Sequence, residues 1–299
     1  MNRESAKSLA VGLGWVIAIF GGLVGLLSMV TGRSPTGDGS VGVIYKSIDG
    51  HDLVMRIYRP KGSKPDDQRP AVIWFFGGGW EVGTVEQFAK QAAFLRDRGL
   101  VSMTVDYRVR SRHGTTTTPF ESVQDARSAM RWVRAHAAEL GVDPDRIAAA
   151  GGSSGGHLAA TCAILDGPDE ASDDLSISPV PNALVLFNPV LDMDIPAVRK
   201  RTSDEQFQSL MALSPIDQIR SPLPPTLILH GTADSIIPIS SAMGFVEKAK
   251  RLGSPQIELI PYKGMTHEFY NHGLNGNREF NDTIERVVGF LDQLGWIEN

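Results

Sequence analysis

The feature that most constrains the fold is a regular alternation of short apolar runs with longer amphipathic segments, which begins at Val41. Apolar runs of four to eight residues rich in β-branched side chains are typical of buried strands. The longer segments have helical spacing, as at Val123, Ala126, Met130 and Val133. Strands that alternate with helices predict a mostly parallel sheet with helices on both faces.

Eight strands are expected, and the first two form an antiparallel hairpin around the turn at Asp49 and Gly50. The predicted strands are VGVIYKSI, DLVMRIYRP, AVIWFF, LVSMTVDY, RIAAAG, NALVLFNPV, PTLILHG and QIELIPY. The stretch from Leu191 to Pro225 is too long for a simple connection between two elements. We expect residues 191–225 to form a lid or a pocket insertion.

The N-terminal segment differs from the rest of the chain. Arg3 and Lys7 precede an uncharged run, residues 9–30, which is about as long as a membrane-spanning helix and longer than most signal-peptide cores. We expect a hydrophobic helix that anchors the protein and leaves the remainder outside the cytoplasm, in the periplasm or beyond. A cleaved signal peptide and a buried helix are the alternatives. The chain then divides into this segment (1–32), a linker (33–40) and a folded domain (41–299).

Composition excludes several classes of function. Lys and Arg total 29 against 34 Asp and Glu, so no basic surface predicts a nucleic-acid partner. One cysteine, Cys162, rules out an internal disulfide and Cys-rich zinc sites. The seven histidines are scattered and form no H-E-x-x-H motif. We therefore expect neither a metal nor a cofactor.

The stretch IAAAGGSSGGHLAAT contains two adjacent serines, and both fit the pattern G-x-S-x-G. A serine at a sharp turn from a strand into a helix exposes its hydroxyl, and the helix N-terminus then stabilises developing negative charge. Such a turn needs small neighbours, which glycines supply. The same glycines are also compatible with a flexible or phosphate-binding loop. Local spacing alone does not choose between Ser153 and Ser154.

Three further motifs follow predicted strands, where sites form in doubly wound sheets. FFGGGW lets the main chain approach a substrate closely, HGTAD offers Asp234, and GMTH offers His267. A serine hydroxyl becomes nucleophilic when a histidine takes its proton and an acid orients that histidine. Asp192 and Asp194 compete with Asp234 as the acid.

In order and spacing, these motifs resemble the α/β-hydrolase fold. They are most similar to the esterase and lipase group with an HGGGW loop, which includes hormone-sensitive-lipase-like and carbohydrate acetylesterase-like enzymes. The motifs are AVIWFFGGGWEVGT, VDYR, VDPDRIAAAGGSSGGHLA, LHGTADSIIP and YKGMTHEF. The resemblance extends from about Val41 to Trp296 and leaves the N-terminal run unexplained.

The resemblance implies a role for each site residue. In the family, the nucleophile and one small residue precede the sequence GGHLA, and this spacing makes Ser153 the nucleophile. The resemblance also implies Asp234 as the acid and His267 as the base. An oxyanion hole would be formed by the backbone N–H groups of Gly78, Gly79 and Ser154.

Two features of the motifs leave questions open. His272 lies close enough in sequence to compete with His267 as the base, although GMTHEF favours His267. Phe76 stands where the family usually has a histidine that braces the glycine loop. This departure puts the shape of the oxyanion loop in question.

The sequence therefore predicts a carboxylic ester hydrolase that works through an acyl-enzyme. The resemblance favours short acyl groups, acetyl above all, on a small-molecule or oligosaccharide ester. A lipid or xenobiotic carboxylesterase, a serine peptidase of the prolyl-oligopeptidase type and a non-catalytic binding protein on this fold are the alternatives.

Overall fold

The computed structural model describes residues 37–220, 222–254 and 256–297. The predicted membrane segment lies outside the described residues, as does the first half of the predicted linker. Within the described ranges, no helix combines the length and the apolar character needed to cross a bilayer.

One sheet of eight strands organises the described chain, in the order β1-β2-β4-β3-β5-β6-β7-β8. β1 pairs antiparallel with β2, and β2 pairs antiparallel with β4, whereas the remaining neighbours are parallel. The strands are β1 (Val41–Ile48), β2 (His51–Tyr58), β3 (Arg69–Phe75), β4 (Val101–Val105), β5 (Val142–Gly152), β6 (Ala183–Phe187), β7 (Thr226–Gly231) and β8 (Ile257–Tyr262). All eight predicted strands are confirmed.

Ten α-helices and two short 3-10 helices (Met211–Leu213 and Asn275–Asn277) connect the strands in the described part of the chain. The α-helices are α1 (Ala89–Arg96), α2 (Arg110–His113), α3 (Pro119–Ala135), α4 (Ala137–Leu140), α5 (Ser154–Ile164), α6 (Pro196–Arg199), α7 (Asp204–Leu210), α8 (Pro215–Gln218), α9 (Ile239–Arg251) and α10 (Arg278–Gln293).

Helices cover both faces of the sheet and create two apolar cores. Side chains of α3, α5 and α9 pack on one face, and those of α1 and α10 pack on the other. Within β3, Ile73 and Phe75 point into the first core whereas Val72 and Trp74 point into the second, as the two-residue period of a strand requires. This two-layered burial explains why central parallel strands such as β3 and β6 are nearly continuous apolar runs. The predicted α/β-hydrolase architecture is confirmed.

The insertion at residues 191–225 lies between β6 and β7 and contains three short helices, α6, α7 and α8. Val198, Phe207 and Leu210 of this insertion are buried and join the first core. Their burial anchors the insertion on the body of the domain.

A close approach of α5 to β3 holds the turn between β5 and α5 in place. A Cβ on Gly155 would overlap the carbonyl oxygens of Phe75 and Phe76, so a side chain at this position would push the helix away from the sheet. Glycine is therefore required here by sterics.

We predict that Gly155→Ala lowers the free energy of unfolding by about 3 kcal/mol or more, because backbone atoms cannot yield to the added methyl group. Gly289→Ala is the matched control, since Gly289 also lies inside a helix but its Cβ would meet nothing within 4 Å. We expect this control to stabilise the protein by about 0.5–1 kcal/mol through helix propensity. Urea unfolding of both variants measures the difference, and equal effects would contradict the steric argument.

Candidate active site

Ser153 occupies the sharp turn between β5, which ends at Gly152, and α5, which begins at Ser154. Its backbone is strained, with φ 55° and ψ −122°, a conformation that costs a non-glycine residue about 1–3 kcal/mol. The Ser153 N–H donates to the carbonyl of Phe187 at 2.9 Å, which ties the turn to the end of β6. A strained residue held this way is typical of a nucleophile elbow.

The structure brings Ser153, His267 and Asp234 into one hydrogen-bonded chain. Ser153 Oγ lies 2.9 Å from His267 Nε2, and His267 Nδ1 lies 2.7 Å from Asp234 Oδ2. A carboxylate fixes Nδ1 as the protonated nitrogen, so Nε2 is left to accept the serine proton. This is the geometry in which a histidine can act as a general base.

Asp234 is held by the loop that follows β7. Its Oδ1 accepts the backbone N–H groups of Ile236 and Ile237, each at 2.9 Å. Burial alone would raise the pKa of Asp234, but the hydrogen bonds from His267 and from these backbone amides outweigh burial and hold the pKa below its usual value. Asp234 therefore stays ionised beside the histidine at neutral pH.

The rival residues lie elsewhere. Asp194 forms an exposed ion pair with Arg199, and Asp192 accepts the backbone N–H of Asp194. His272 packs edge-on against Phe280 at the cavity wall. Ser154 is fully buried and its hydroxyl points to the glycine loop, away from His267.

Asn188 is a site residue that the sequence analysis missed. It directly follows β6, is completely buried and has a positive φ of 40°. Its Nδ2 donates to Asp234 Oδ2 at 2.5 Å and to the carbonyl of His267 at 2.9 Å, while its Oδ1 accepts the N–H of Gly231 at 3.2 Å. One amide thus joins the ends of three strands. Its place directly after a buried strand is the signal that could have revealed it.

The oxyanion loop, residues 76–80, differs from the prediction in one detail. The N–H groups of Gly78 and Ser154 have no acceptor among the described residues, whereas the Gly79 N–H donates to Ser154 Oγ at 2.9 Å. Two of the three predicted donors are therefore available to a ligand, and the third is already bonded to a serine side chain.

The oxyanion loop is braced without the usual histidine. The Phe76 ring stacks on Tyr107 with centroids 4.1 Å apart, and the Tyr107 hydroxyl donates to the carbonyl of Phe76 at 2.7 Å. On the other side, the Gly77 N–H donates to Gln87 Oε1 at 2.6 Å. These contacts hold residues 76 and 77 in place with a phenylalanine at position 76.

Ser153 and His267 lie in the wall of a cavity of 1370 Å³. Ligand cavities commonly measure about 300–1000 Å³, so this one has room for far more than an acetyl group. Trp80 and residues of the insertion, among them Val198 and Leu210, form other parts of the wall. Among residues 37–220, 222–254 and 256–297, no three His, Cys, Asp or Glu side chains are grouped to hold a metal ion.

His157 lies in α5 beneath this site and is completely buried. Its Nε2 donates to the carbonyl of Leu213 at 2.9 Å, which leaves Nδ1 unprotonated and without a partner among the described residues. Burial lowers the pKa of His157 to about 4, although the hydrogen bond to Leu213 opposes this effect. The imidazole is therefore neutral in the folded protein, and its ring contacts Trp80 edge-on.

This burial predicts a loss of stability in mild acid. The folded-state pKa of His157 lies below the unfolded value of about 6.5, so the unfolded chain binds more protons as pH falls from that value towards 4. Between pH 7.5 and pH 5, we expect His157 to account for about 2 kcal/mol of lost unfolding free energy. Urea unfolding at both pH values should show a smaller loss for His157→Gln. His136→Gln is the control, because it removes a less buried histidine. If His157→Gln lost as much unfolding free energy between pH 7.5 and pH 5 as the wild type does, the prediction would be contradicted.

Comparisons with known proteins agree with this geometry. A family model described as BD-FAE matches residues 55–249. A probable carboxylic ester hydrolase of Mycobacterium tuberculosis, LipM, is 28% identical over 241 residues, which cover 75% of this chain and 54% of LipM. The chain thus spans about half the length of this curated relative.

Solved structures match over more of their length. A thermophilic esterase of Thermogutta terrifontis with propionate bound has a TM-score of 0.82 and 41% sequence identity, over 89% of this chain and 99% of that one. The same esterase phosphorylated by paraoxon matches with a TM-score of 0.80, 41% identity and the same coverage. Together with the family model, these similarities show that the chain belongs to the BD-FAE family of α/β-hydrolase esterases.

Proposed function

We propose that this protein hydrolyses carboxylic esters, with Ser153 as the nucleophile, His267 as the base and Asp234 as the acid. The observation that carries the proposal is the hydrogen-bonded chain from Ser153 Oγ through His267 to Asp234, set in the wall of a large cavity. The esterase character of the relatives supports it.

The proposed reaction runs in two halves. His267 Nε2 takes the proton of Ser153 Oγ as that oxygen attacks the ester carbonyl, and ionised Asp234 stabilises the resulting imidazolium. The N–H groups of Gly78 and Ser154 donate to the oxyanion. When the tetrahedral intermediate collapses, the C–O bond to the alcohol breaks and His267 protonates the leaving oxygen. Water then attacks the acyl-enzyme by the same route and releases the acid.

Short acyl groups, acetyl above all, are the proposed acyl part of the substrate. The Thermogutta esterase has propionate, a short carboxylate, bound to it, which supports this choice. The volume of the cavity leaves room for a bulky alcohol, and an oligosaccharide is one such alcohol. A faster reaction with 4-nitrophenyl acetate than with the decanoate, and release of acetate from acetylated xylan, are the expected results.

Substitution of the two adjacent serines tests the nucleophile. We expect Ser153→Ala to lower kcat/KM for 4-nitrophenyl acetate about a thousandfold or more, because the attacking oxygen is lost. Ser154→Ala should cost no more than about tenfold, since its backbone N–H remains and the lost hydroxyl contacts are those with the Gly79 N–H and the Tyr107 side chain. Initial rates of the purified variants measure both effects.

Paraoxon gives a readout that does not depend on turnover. It phosphorylates the Thermogutta esterase, and here we expect a diethylphosphoryl group on Ser153 Oγ with release of 4-nitrophenolate. Peptide mass spectrometry locates the label. A label on Ser154, or full activity in Ser153→Ala, would overturn the assignment, and an inactive wild type would overturn the proposed hydrolysis.

We also propose that the folded domain works outside the cytoplasm, tethered by residues 9–30. The support is the length of the uncharged run and the basic residues Arg3 and Lys7 before it. We expect the intact chain in the membrane fraction, as measured by mass spectrometry of the protein from membrane and soluble fractions. A free form that begins near Thr31 would instead identify a cleaved signal peptide.

A further inference from the structure

Arg201 reaches over the oxyanion loop from the insertion. It lies between α6 and α7, lines the cavity and is exposed to it. A Cβ placed on Gly79 would lie 2.5 Å from Arg201 Nη1, so the guanidinium rests against the backbone of that glycine. Gly79 in turn donates its N–H to Ser154, the neighbour of the proposed nucleophile. A positive charge therefore stands beside the point where an ester carbonyl would bind.

No carboxylate among the described residues lies within 4 Å of the Arg201 guanidinium. The neighbouring Arg199, by contrast, already has partners. Arg199, two residues away, pairs with Asp194 at 2.5 Å and stacks over the Phe207 ring at 4.0 Å. Arg201 is thus distinguished from Arg199 by a free guanidinium that faces the cavity.

The remaining charges of the cavity wall also favour an anion. Two of its glutamates have cationic partners, since Glu81 lies 3.8 Å from Arg110 and Glu86 lies 2.5 Å from Arg56. The charges of the wall without such a partner among the described residues are Arg201, Lys90 and Glu268. Positive charge is therefore in excess among the groups that a ligand could neutralise.

We propose that Arg201 binds a carboxylate carried by the ester substrate, so that the preferred substrates are esters with a free acid group near the scissile bond. This inference rests on the proposed ester hydrolysis and deepens it. A guanidinium presents a planar fork of N–H donors that matches the two oxygens of a carboxylate. Because Arg201 adjoins the oxyanion loop, the bound carboxylate would hold the ester carbonyl near Ser153.

Two matched pairs of esters test the proposal, and each pair differs only in the free acid. The first pair is 4-acetoxybenzoate and its methyl ester, in which the charge lies on the alcohol side. The second pair is mono-4-nitrophenyl adipate and its methyl ester, in which the charge lies on the acyl side. For each pair the readout is the ratio of kcat/KM for the acid to kcat/KM for the methyl ester.

We expect the wild type to prefer the acid in at least one pair, and Arg201→Gln to lower that ratio about tenfold or more, as loss of a charge-assisted hydrogen bond does. Arg201→Lys should give an intermediate ratio, because it keeps the charge and loses the fork. Lys200→Gln is the matched control, since it removes the adjacent charge from a residue outside the cavity wall, and its ratio should equal the wild-type ratio.

The outcomes separate the two proposals. A ratio in Arg201→Gln equal to that of the wild type, or an equal fall in Lys200→Gln, would overturn the role of Arg201 while leaving ester hydrolysis intact. Failure of the wild type to hydrolyse any of the four esters would overturn the proposed function, and the role of Arg201 with it.

Discussion

The site depends on a steric constraint at the turn between β5 and α5. To expose the Ser153 hydroxyl at the edge of the sheet, the chain reverses within one strained residue and α5 starts almost in contact with β3. A side chain on Gly151 or Gly155 would collide with backbone atoms, and one on Gly152 would collide with Tyr270, so these three positions require glycine. The cost of the strained residue is offset by the apolar burial of α5, whose residues are nearly all in the core.

A second constraint concerns the relative placement of loops. Ser153, Asp234 and His267 follow three different strands, and hydrogen bonds that must be about 3 Å long tolerate little independent motion of these loops. Asn188 supplies the connection, because one buried amide bonds to Asp234, to the backbone of His267 and to the end of β7. A buried side chain at the carboxyl ends of the strands, rather than a surface contact, thus aligns Ser153, His267 and Asp234.

Sequence patterns predicted the sheet well and pointed to Ser153, Asp234 and His267, which the structure brings into one hydrogen-bonded chain, for identifiable reasons. A strand buried on both faces, such as β7, is an uninterrupted apolar run, and Asp234 and His267 lie in the loops that follow β7 and β8. Other features depend on contacts between distant segments, which spacing does not encode. Asn188 looked like part of a strand end, and the bond from Gly79 to the Ser154 hydroxyl arises only when two loops meet. Arg201 belongs to an insertion without strong periodicity, so its approach to the oxyanion loop was likewise not predictable.

The way the oxyanion loop is braced has a consequence for how this family varies. Tyr107 holds the loop through the main-chain oxygen of Phe76, an atom that every amino acid provides. The brace is thus independent of the side chain at residue 76, where stacking on Tyr107 is an added contribution. This backbone contact is therefore open to a chain with a histidine at residue 76 and to one with an apolar ring there. Searches that require that histidine would overlook chains whose loops are shaped by the same backbone contact.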